Sequence, residues 1–258
     1  MSTDKLFQQI RNRVSTPLGH LLLSDRISDG YIAAFPRSGS TWLRTILVNI
    51  LDATAHSNPD TFNARIPAVS IRNAPAINRL VSPRLIMTHS LWRRSIKKSV
   101  YLVRDGRDAF ISSYYYHSTR NGDAMSIEDY YQLYINRTYG QTWEQHVKSW
   151  LLKGREALGS ELLVISFEEL KADTVAVIET VCAHLGIDSQ INDVIDAIDL
   201  ASLDNARKIE RQHQGDIGDD NASFYRSGSS GQWKRPEYQQ VISKFQQSAN
   251  EALELAGY

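Results

Sequence analysis

Tyr31-Ile-Ala-Ala-Phe-Pro-Arg-Ser-Gly-Ser-Thr-Trp42 is an apolar run that breaks at a proline-to-glycine turn and resumes as an apolar-periodic segment. It predicts a buried strand over Tyr31–Phe35, a tight turn, and a helix over Thr41–Leu51. Gly39 lets the backbone turn sharply and approach a ligand closely. Successive amide N–H groups with a helix N-terminus behind them form an anion site. Ser38, Ser40 and Thr41 add hydroxyl groups, and Arg37 adds a fixed positive charge. The turn is not a Walker A sequence: no lysine follows Gly39 and no glycine lies five residues before it. Taken alone, it also reads as an ordinary capped helix start.

A second stretch, Ser99-Val-Tyr-Leu-Val-Arg-Asp-Gly-Arg-Asp-Ala-Phe-Ile-Ser112, is another strand. It ends in Arg104, with Ser112 eight residues on, along a helix expected over 106–117. A salt bridge from Arg104 to Asp108 is the competing reading of that arginine. Together the two stretches point to a ligand with two separated phosphate groups.

Two more short apolar runs, Leu85–Thr88 and Leu162–Ser166, complete four strands. Between and after them the pattern predicts helices over 4–13, 126–137, 142–152, 174–185, 189–200, 202–210 and 237–255. Residues 52–83 hold Pro59, Pro67, Pro75 and Pro83 and read as loop-rich. Residues 211–232, polar and rich in glycine, read as a mobile loop. Buried strands alternating with helices define an α/β chain with a central parallel sheet covered on both faces, a three-layer sandwich. Ligands of such sheets bind at the carboxyl ends of the strands. Phe35-Pro36, His89 and Arg104 all fall at that edge.

The 258 residues suit one domain over 1–258, large enough to bury its own core. Basic and acidic residues balance at 29 each, which argues against a nucleic-acid partner. No apolar run approaches a membrane span and no signal peptide opens the chain, so no membrane insertion and a cytoplasmic setting are expected. Cys182, the single cysteine, reads as a buried, inert thiol. The histidines and acids show no metal-ligand spacing, so no metal is expected.

With these residues in place, the chain resembles the sulfotransferases that use 3′-phosphoadenosine 5′-phosphosulfate (PAPS). Phe35–Trp42 resembles their 5′-phosphosulfate loop, and Tyr101–Asp108 through Ser112 their 3′-phosphate motif. Phe224-Tyr-Arg-Ser-Gly-Ser-Ser-Gly-Gln-Trp-Lys234 resembles their C-terminal Arg-x-Gly-x-x-Gly-x-Trp-Lys loop. The three occur in the family's order, across roughly residues 28–240. The resemblance implies the family's fold with a PAPS-binding phosphate loop. It implies that Arg37, Ser38, Gly39, Ser40 and Thr41 hold the 5′-phosphosulfate and that Trp42 stacks on adenine. Arg104, Ser112, Arg226, Ser227 and Gly228 would hold the 3′-phosphate. Phe167, Ser202 and Leu203 would line the adenine site.

The chain departs from the family at several of these places. Arg37 stands where a lysine is usual, Met87 replaces another lysine, and Ser227 replaces a basic residue. Phe167 lacks a tyrosine hydroxyl, and Leu203 replaces a stacking aromatic.

The resemblance also implies that His89, at the end of Leu85–Thr88, is the catalytic base. Transfer needs such a group, because the acceptor loses a proton as it attacks sulfur, and imidazole suits neutral pH. Arg37 would stabilise charge on the departing bridging oxygen. The implied activity is sulfonyl transfer from PAPS to a hydroxyl or amine of a small-molecule acceptor. The alternatives are a P-loop nucleotide kinase, for which no Walker lysine is present, and a non-catalytic nucleotide-binding module of the same fold. Tyr114-Tyr-Tyr116 and His117 read either as packing aromatics or as acceptor-pocket lining.

Overall fold

The computed structural model describes residues 16–52, 63–120, 125–136, 140–214 and 226–258. Four strands, β1 (Gly30–Ala34), β2 (Leu85–Thr88), β3 (Lys98–Val103) and β4 (Leu162–Ser166), form one sheet in the order β2-β1-β3-β4. All pairs are parallel, with Ala33 opposite both Thr88 and Tyr101, and Leu102 opposite Ile165. The register aligns the carboxyl ends of β1, β2 and β3 on one edge. Pro67 and Val69 add a short parallel bridge outside β2 through the backbone of Met87.

The main helices are α1 (Ser40–Leu51), α2 (Gly106–Arg120), α3 (Ile127–Ile135), α4 (Trp143–Lys148), α5 (Phe167–Ala172), α6 (Thr174–Leu185), α7 (Ile191–Leu200), α8 (Leu203–Gln214) and α9 (Gln239–Ala256). Strand residues alternate between two apolar layers. Tyr31, Ala33, Tyr101 and Val103 pack with Phe110 of α2, Trp143 of α4 and Phe245 of α9. Ile32, Ala34, Val100 and Leu102 pack with Leu43, Ile46 and Leu47 of α1, Ile178 of α6 and Val194 of α7. Because both faces are covered, the strands carry apolar residues at nearly every position, as their sequence implies.

The helices deviate from expectation mainly at their ends. The segment expected over 142–152 is α4 followed by a wider π-helical turn over Ser149–Gly154. α8 runs to Gln214, four residues past its expected end, so the polar segment from 211 begins as helix. The helix expected over 4–13 and the span 215–225 lie outside the described residues. α5 was not expected, although Ser166 and Glu169 form a reciprocal capping box at its start. Cys182 is buried in α6, and burial raises its thiol pKa.

At the opposite edge from the expected ligand site, Arg84 and Asp29 form a bidentate ion pair. Arg84 Nε lies 2.8 Å from Asp29 Oδ1 and NH2 lies 2.5 Å from Oδ2, with both side chains fully buried. The pair ties the entry of β2 to the entry of β1.

Candidate functional site

The carboxyl edge of the sheet collects the phosphate turn, His89 and Arg104. The turn after β1 places Arg37 at φ 70°, the only non-glycine residue with positive φ among those described. That conformation costs about 1–2 kcal/mol for a residue with a Cβ. Gly39 follows at φ 92° and serves as N-cap of α1 without a side-chain cap. The first N–H groups of α1 therefore face the turn without side-chain capping. Ser38 is fully buried, and its Oγ has no hydrogen-bond partner among the described residues. A buried hydroxyl without a partner at a helix N-terminus matches an anion ligand better than an ordinary cap.

Gly39 lies against Phe167, the first residue of α5. A Cβ at position 39 would sit 2.5 Å from Phe167 Cδ2. Trp42 meets the same phenyl ring edge-on at 6.1 Å. Arg104 lies over it, with Cζ 4.5 Å from the ring centroid. Phe167 is thus the buried floor on which the turn, Trp42 and Arg104 converge.

Arg104 is 5% exposed. Its NH1 donates to the Arg37 carbonyl at 3.0 Å and its NH2 to the Ser229 carbonyl at 2.8 Å. It therefore clamps the phosphate turn to the C-terminal loop. Its Nε has no partner among the described residues. A guanidinium has five N–H donors, so two bonds to carbonyls leave donors for an anion. Burial lowers the Arg104 pKa, while Asp108, Glu168 and Asp105 oppose that shift.

The competing reading of Arg104, a salt bridge to Asp108, is not what Asp108 does. Asp108 accepts from the backbone N–H groups of Gly231 and Trp233. Arg107 pairs with Asp105 at 2.8 Å and lies 3.8 Å over the Trp233 ring. Arg226 lies 4.0 Å over Tyr115 and donates to the Gln232 side chain. Ser227 accepts from Ser229 Oγ at 3.1 Å, and Gly228 takes φ 57°.

Ser112 does reach the turn, 75 residues away in sequence: Arg37 Nε donates to Ser112 Oγ at 3.2 Å. Arg37 Cζ also lies 4.9 Å over Tyr116. Ser202 and Leu203 open α8, where the Ser202 carbonyl accepts from Ala206 N. α8 then touches the C-terminal loop through Arg207, which donates to the Arg226 carbonyl. Of the tyrosine run, Tyr115 bonds Tyr238 at 2.6 Å and Tyr114 bonds the Met125 carbonyl. His117 stacks on Tyr130.

His89 lies one residue past β2. Its Nδ1 is 2.7 Å from the carbonyl oxygen of Ala34, the last residue of β1. A carbonyl only accepts, so Nδ1 carries the proton and Nε2 presents a lone pair. Gln141 donates to the His89 carbonyl and fixes its backbone. Burial lowers the imidazole pKa, partly offset by the Ala34 bond, and the charges of Arg44 and Arg37 lower it further. His89 is therefore neutral at neutral pH, the protonation state a base requires.

The sequence reading did not single out Arg44 or Gln141. Arg44 has the look of a solvated helix residue, and only its place on the buried side of α1 reveals it.

The profile of the sulfotransferase domain matches residues 28–257. Human sulfotransferase 2A1 is 28% identical over 232 residues, covering 81% of this chain and 78% of that protein. Cytosolic sulfotransferase 5 of Arabidopsis thaliana is 24% identical, covering 89% of this chain and 81% of its own length. The structure of the mouse sulfotransferase SULT7A1 complexed with PAP superposes with a TM-score of 0.69 at 20% identity, covering 95% of this chain and 96% of that one.

Proposed function

The chain belongs to the sulfotransferase domain family, and from that premise we propose that it moves a sulfonyl group from PAPS to a hydroxyl or amine of a small-molecule acceptor, with His89 as base. The observation that carries this reading is the convergence of the partnerless Ser38 Oγ, the N-terminus of α1 and a neutral His89 on one sheet edge. The likeness to a structure solved with PAP, the product PAPS leaves behind, supports the choice of nucleotide. The family match over 28–257 supports one domain for the whole chain, and the relatives' cytosolic names support a cytoplasmic setting.

The buried donors fit such a ligand. Ser38 Oγ, the hydroxyls of Ser40 and Thr41 and the first N–H groups of α1 would hold the 5′-phosphosulfate. Arg104, Ser112, Arg226, Ser227 and Gly228 would hold the 3′-phosphate, with Trp42, Phe167, Ser202 and Leu203 beside the adenine. In the reaction the acceptor atom forms a bond to sulfur while the sulfur–oxygen bond to the 5′-phosphate breaks. His89 Nε2 takes the acceptor's proton, and the electron pair of the broken bond stays on the bridging oxygen. Arg37 stabilises the charge that develops there.

In this structure the Nε of Arg37 is engaged by Ser112.

The test is sulfonyl transfer from PAPS to a panel of alcohols, phenols and amines. His89→Ala should lower turnover by about 10²–10⁴-fold and leave PAP affinity within a few-fold of wild type. Unchanged turnover would remove His89 from the role. A nucleotide kinase would instead be stabilised by ATP with Mg²⁺ and not by PAP.

A further inference from the structure

Arg44 is a buried cation with no part in the scheme above. It is 8% exposed and lies one turn past Ser40 in α1. Helical Cα–Cβ bonds tilt toward the N-terminus, so a long side chain at 44 covers the turn that holds Ser40 and Thr41. Its NH2 donates to Asn63 Oδ1 at 3.1 Å. Asn63 lies just before Pro67–Val69, the segment whose backbone brackets Met87 of β2. The guanidinium is therefore held between the phosphate helix and the outer edge of β2.

β2 leads from that point to His89. Met87 packs in the same apolar layer as Leu43 and Leu47 of α1, so the α1 face of β2 carries no charge at position 87. His89 follows two residues on, in the same alternation. Arg44 lowers the His89 pKa more than Arg37 does. The charges of two guanidinium groups thus act on His89, Arg37 from the turn and Arg44 from the helix.

We propose that Arg44 contacts the oxygens of the transferring sulfonyl group from the α1 side and is a second cation of the transfer site. The inference rests on the sulfonyl-transfer reading. The sulfonyl must lie between the 5′-phosphate held at residues 37–41 and the acceptor atom next to His89. Its three oxygens share negative charge, and Arg37 meets only the side of the leaving bridge. Arg44 reaches the same space from the helix that carries Ser40 and Thr41.

PAPS and PAP differ by that sulfonyl group, so the test needs no acceptor. Calorimetric affinities for both nucleotides are compared in wild type, Arg44→Gln and Arg44→Lys. Arg44→Gln should weaken PAPS binding by about 10–100-fold, the range for one charge-assisted hydrogen bond, and leave PAP within about twofold. Arg44→Lys, which keeps the charge, should lose less. If Arg44→Gln does not fold, Asn63→Ala keeps the arginine and releases its tether, and a loss confined to PAPS is expected there as well. Equal weakening of both nucleotides, or no weakening of either, overturns the role of Arg44. Wild-type protein that binds neither nucleotide overturns the parent reading and this inference with it.

Discussion

Asp108 Oδ2 accepts the backbone N–H of Gly231 at 2.6 Å, across 123 residues of chain. Its other oxygen accepts Trp233 N at 3.3 Å. A carboxylate 1% exposed in the first turn of α2 thus holds the C-terminal loop in place. Asp108→Ala leaves two loop N–H groups without their acceptor and frees the segment carrying Arg226–Gly228. Charge-assisted hydrogen bonds contribute about 1.5–3 kcal/mol each. The expected outcome is a lower melting temperature and a PAP affinity at least about tenfold weaker. A calorimetric PAP affinity equal to wild type would show that the tether has no bearing on the nucleotide.

Arg104 and Arg226 should separate by their effect on stability. Arg104 is buried and joins two carbonyls, those of Arg37 and Ser229. Arg226 is half-buried and its guanidinium meets Tyr115 and Gln232. Replacing either by alanine should weaken PAP binding by about 10–100-fold. Arg104→Ala should in addition lower the melting temperature of the nucleotide-free protein, since it unlinks the turn from the C-terminal loop. Arg226→Ala should not approach that drop. Equal thermal shifts in the two variants contradict the clamp.

The sheet was legible because each strand is a short apolar run that ends at a residue of different character: Phe35-Pro36, His89, Arg104, Ser166. Local patterning of that kind needs no knowledge of distant residues. What stayed hidden was set by contacts far apart in sequence. Asp108 looked like a partner for Arg104, four residues away, and instead serves a loop 123 residues on. Phe167 looked like a ligand contact alone, whereas it also packs under Gly39 and Trp42. α5 was missed despite a capping box at Ser166-x-x-Glu169, since six residues directly after a strand show no helical period. Arg44 was invisible for the same reason as Asp108: its guanidinium bonds Asn63, 19 residues away in sequence.

Gly39 is constrained twice. Its φ of 92° suits glycine, and a Cβ there would lie 2.5 Å from Phe167. Gly39→Ala should destabilise the fold by about 2 kcal/mol or more, combining backbone strain with overpacking. Phe167→Leu in the same chain should return the packing part and leave the backbone part. A double-mutant cycle in denaturant reads the coupling. Strictly additive effects would mean that the ring and the turn are not in contact.

His20 makes stability pH-dependent. It is 2% exposed, and its Nε2 bonds the hydroxyls of Thr88 and Ser90 on either side of His89. Burial, then the charge of Arg93, lowers its pKa from 6.5 to about 4, with Asp25 opposing. The folded state thus binds fewer protons than the unfolded state between those values, and stability falls as pH falls. The contribution is fully present above pH 6.5 and is lost toward pH 4. The loss amounts to about 3 kcal/mol. His20→Gln keeps a polar side chain but not the titration. Wild type should lose about that much more than the variant between pH 7 and 4, measured by urea unfolding. Parallel curves would mean that His20 is not held neutral by the fold.

His89 gives the corresponding prediction for catalysis. Its Nδ1–H is committed to the Ala34 carbonyl, and burial with the charges of Arg44 and Arg37 places its pKa below the ordinary 6.5. The base form is the neutral one, so kcat/KM should rise with pH through a value below 6.5 and be level at neutral pH. An aliphatic alcohol acceptor, which does not titrate in this range, isolates the enzyme's limb. The imidazole resonance of His89, followed by NMR in the nucleotide-free protein, should report the same midpoint. Arg37→Gln removes one of the two flanking charges and should move that midpoint upward. A wild-type midpoint above 6.5 would contradict the burial that lowers the His89 pKa, and an unmoved midpoint in Arg37→Gln would mean that Arg37 does not act on His89.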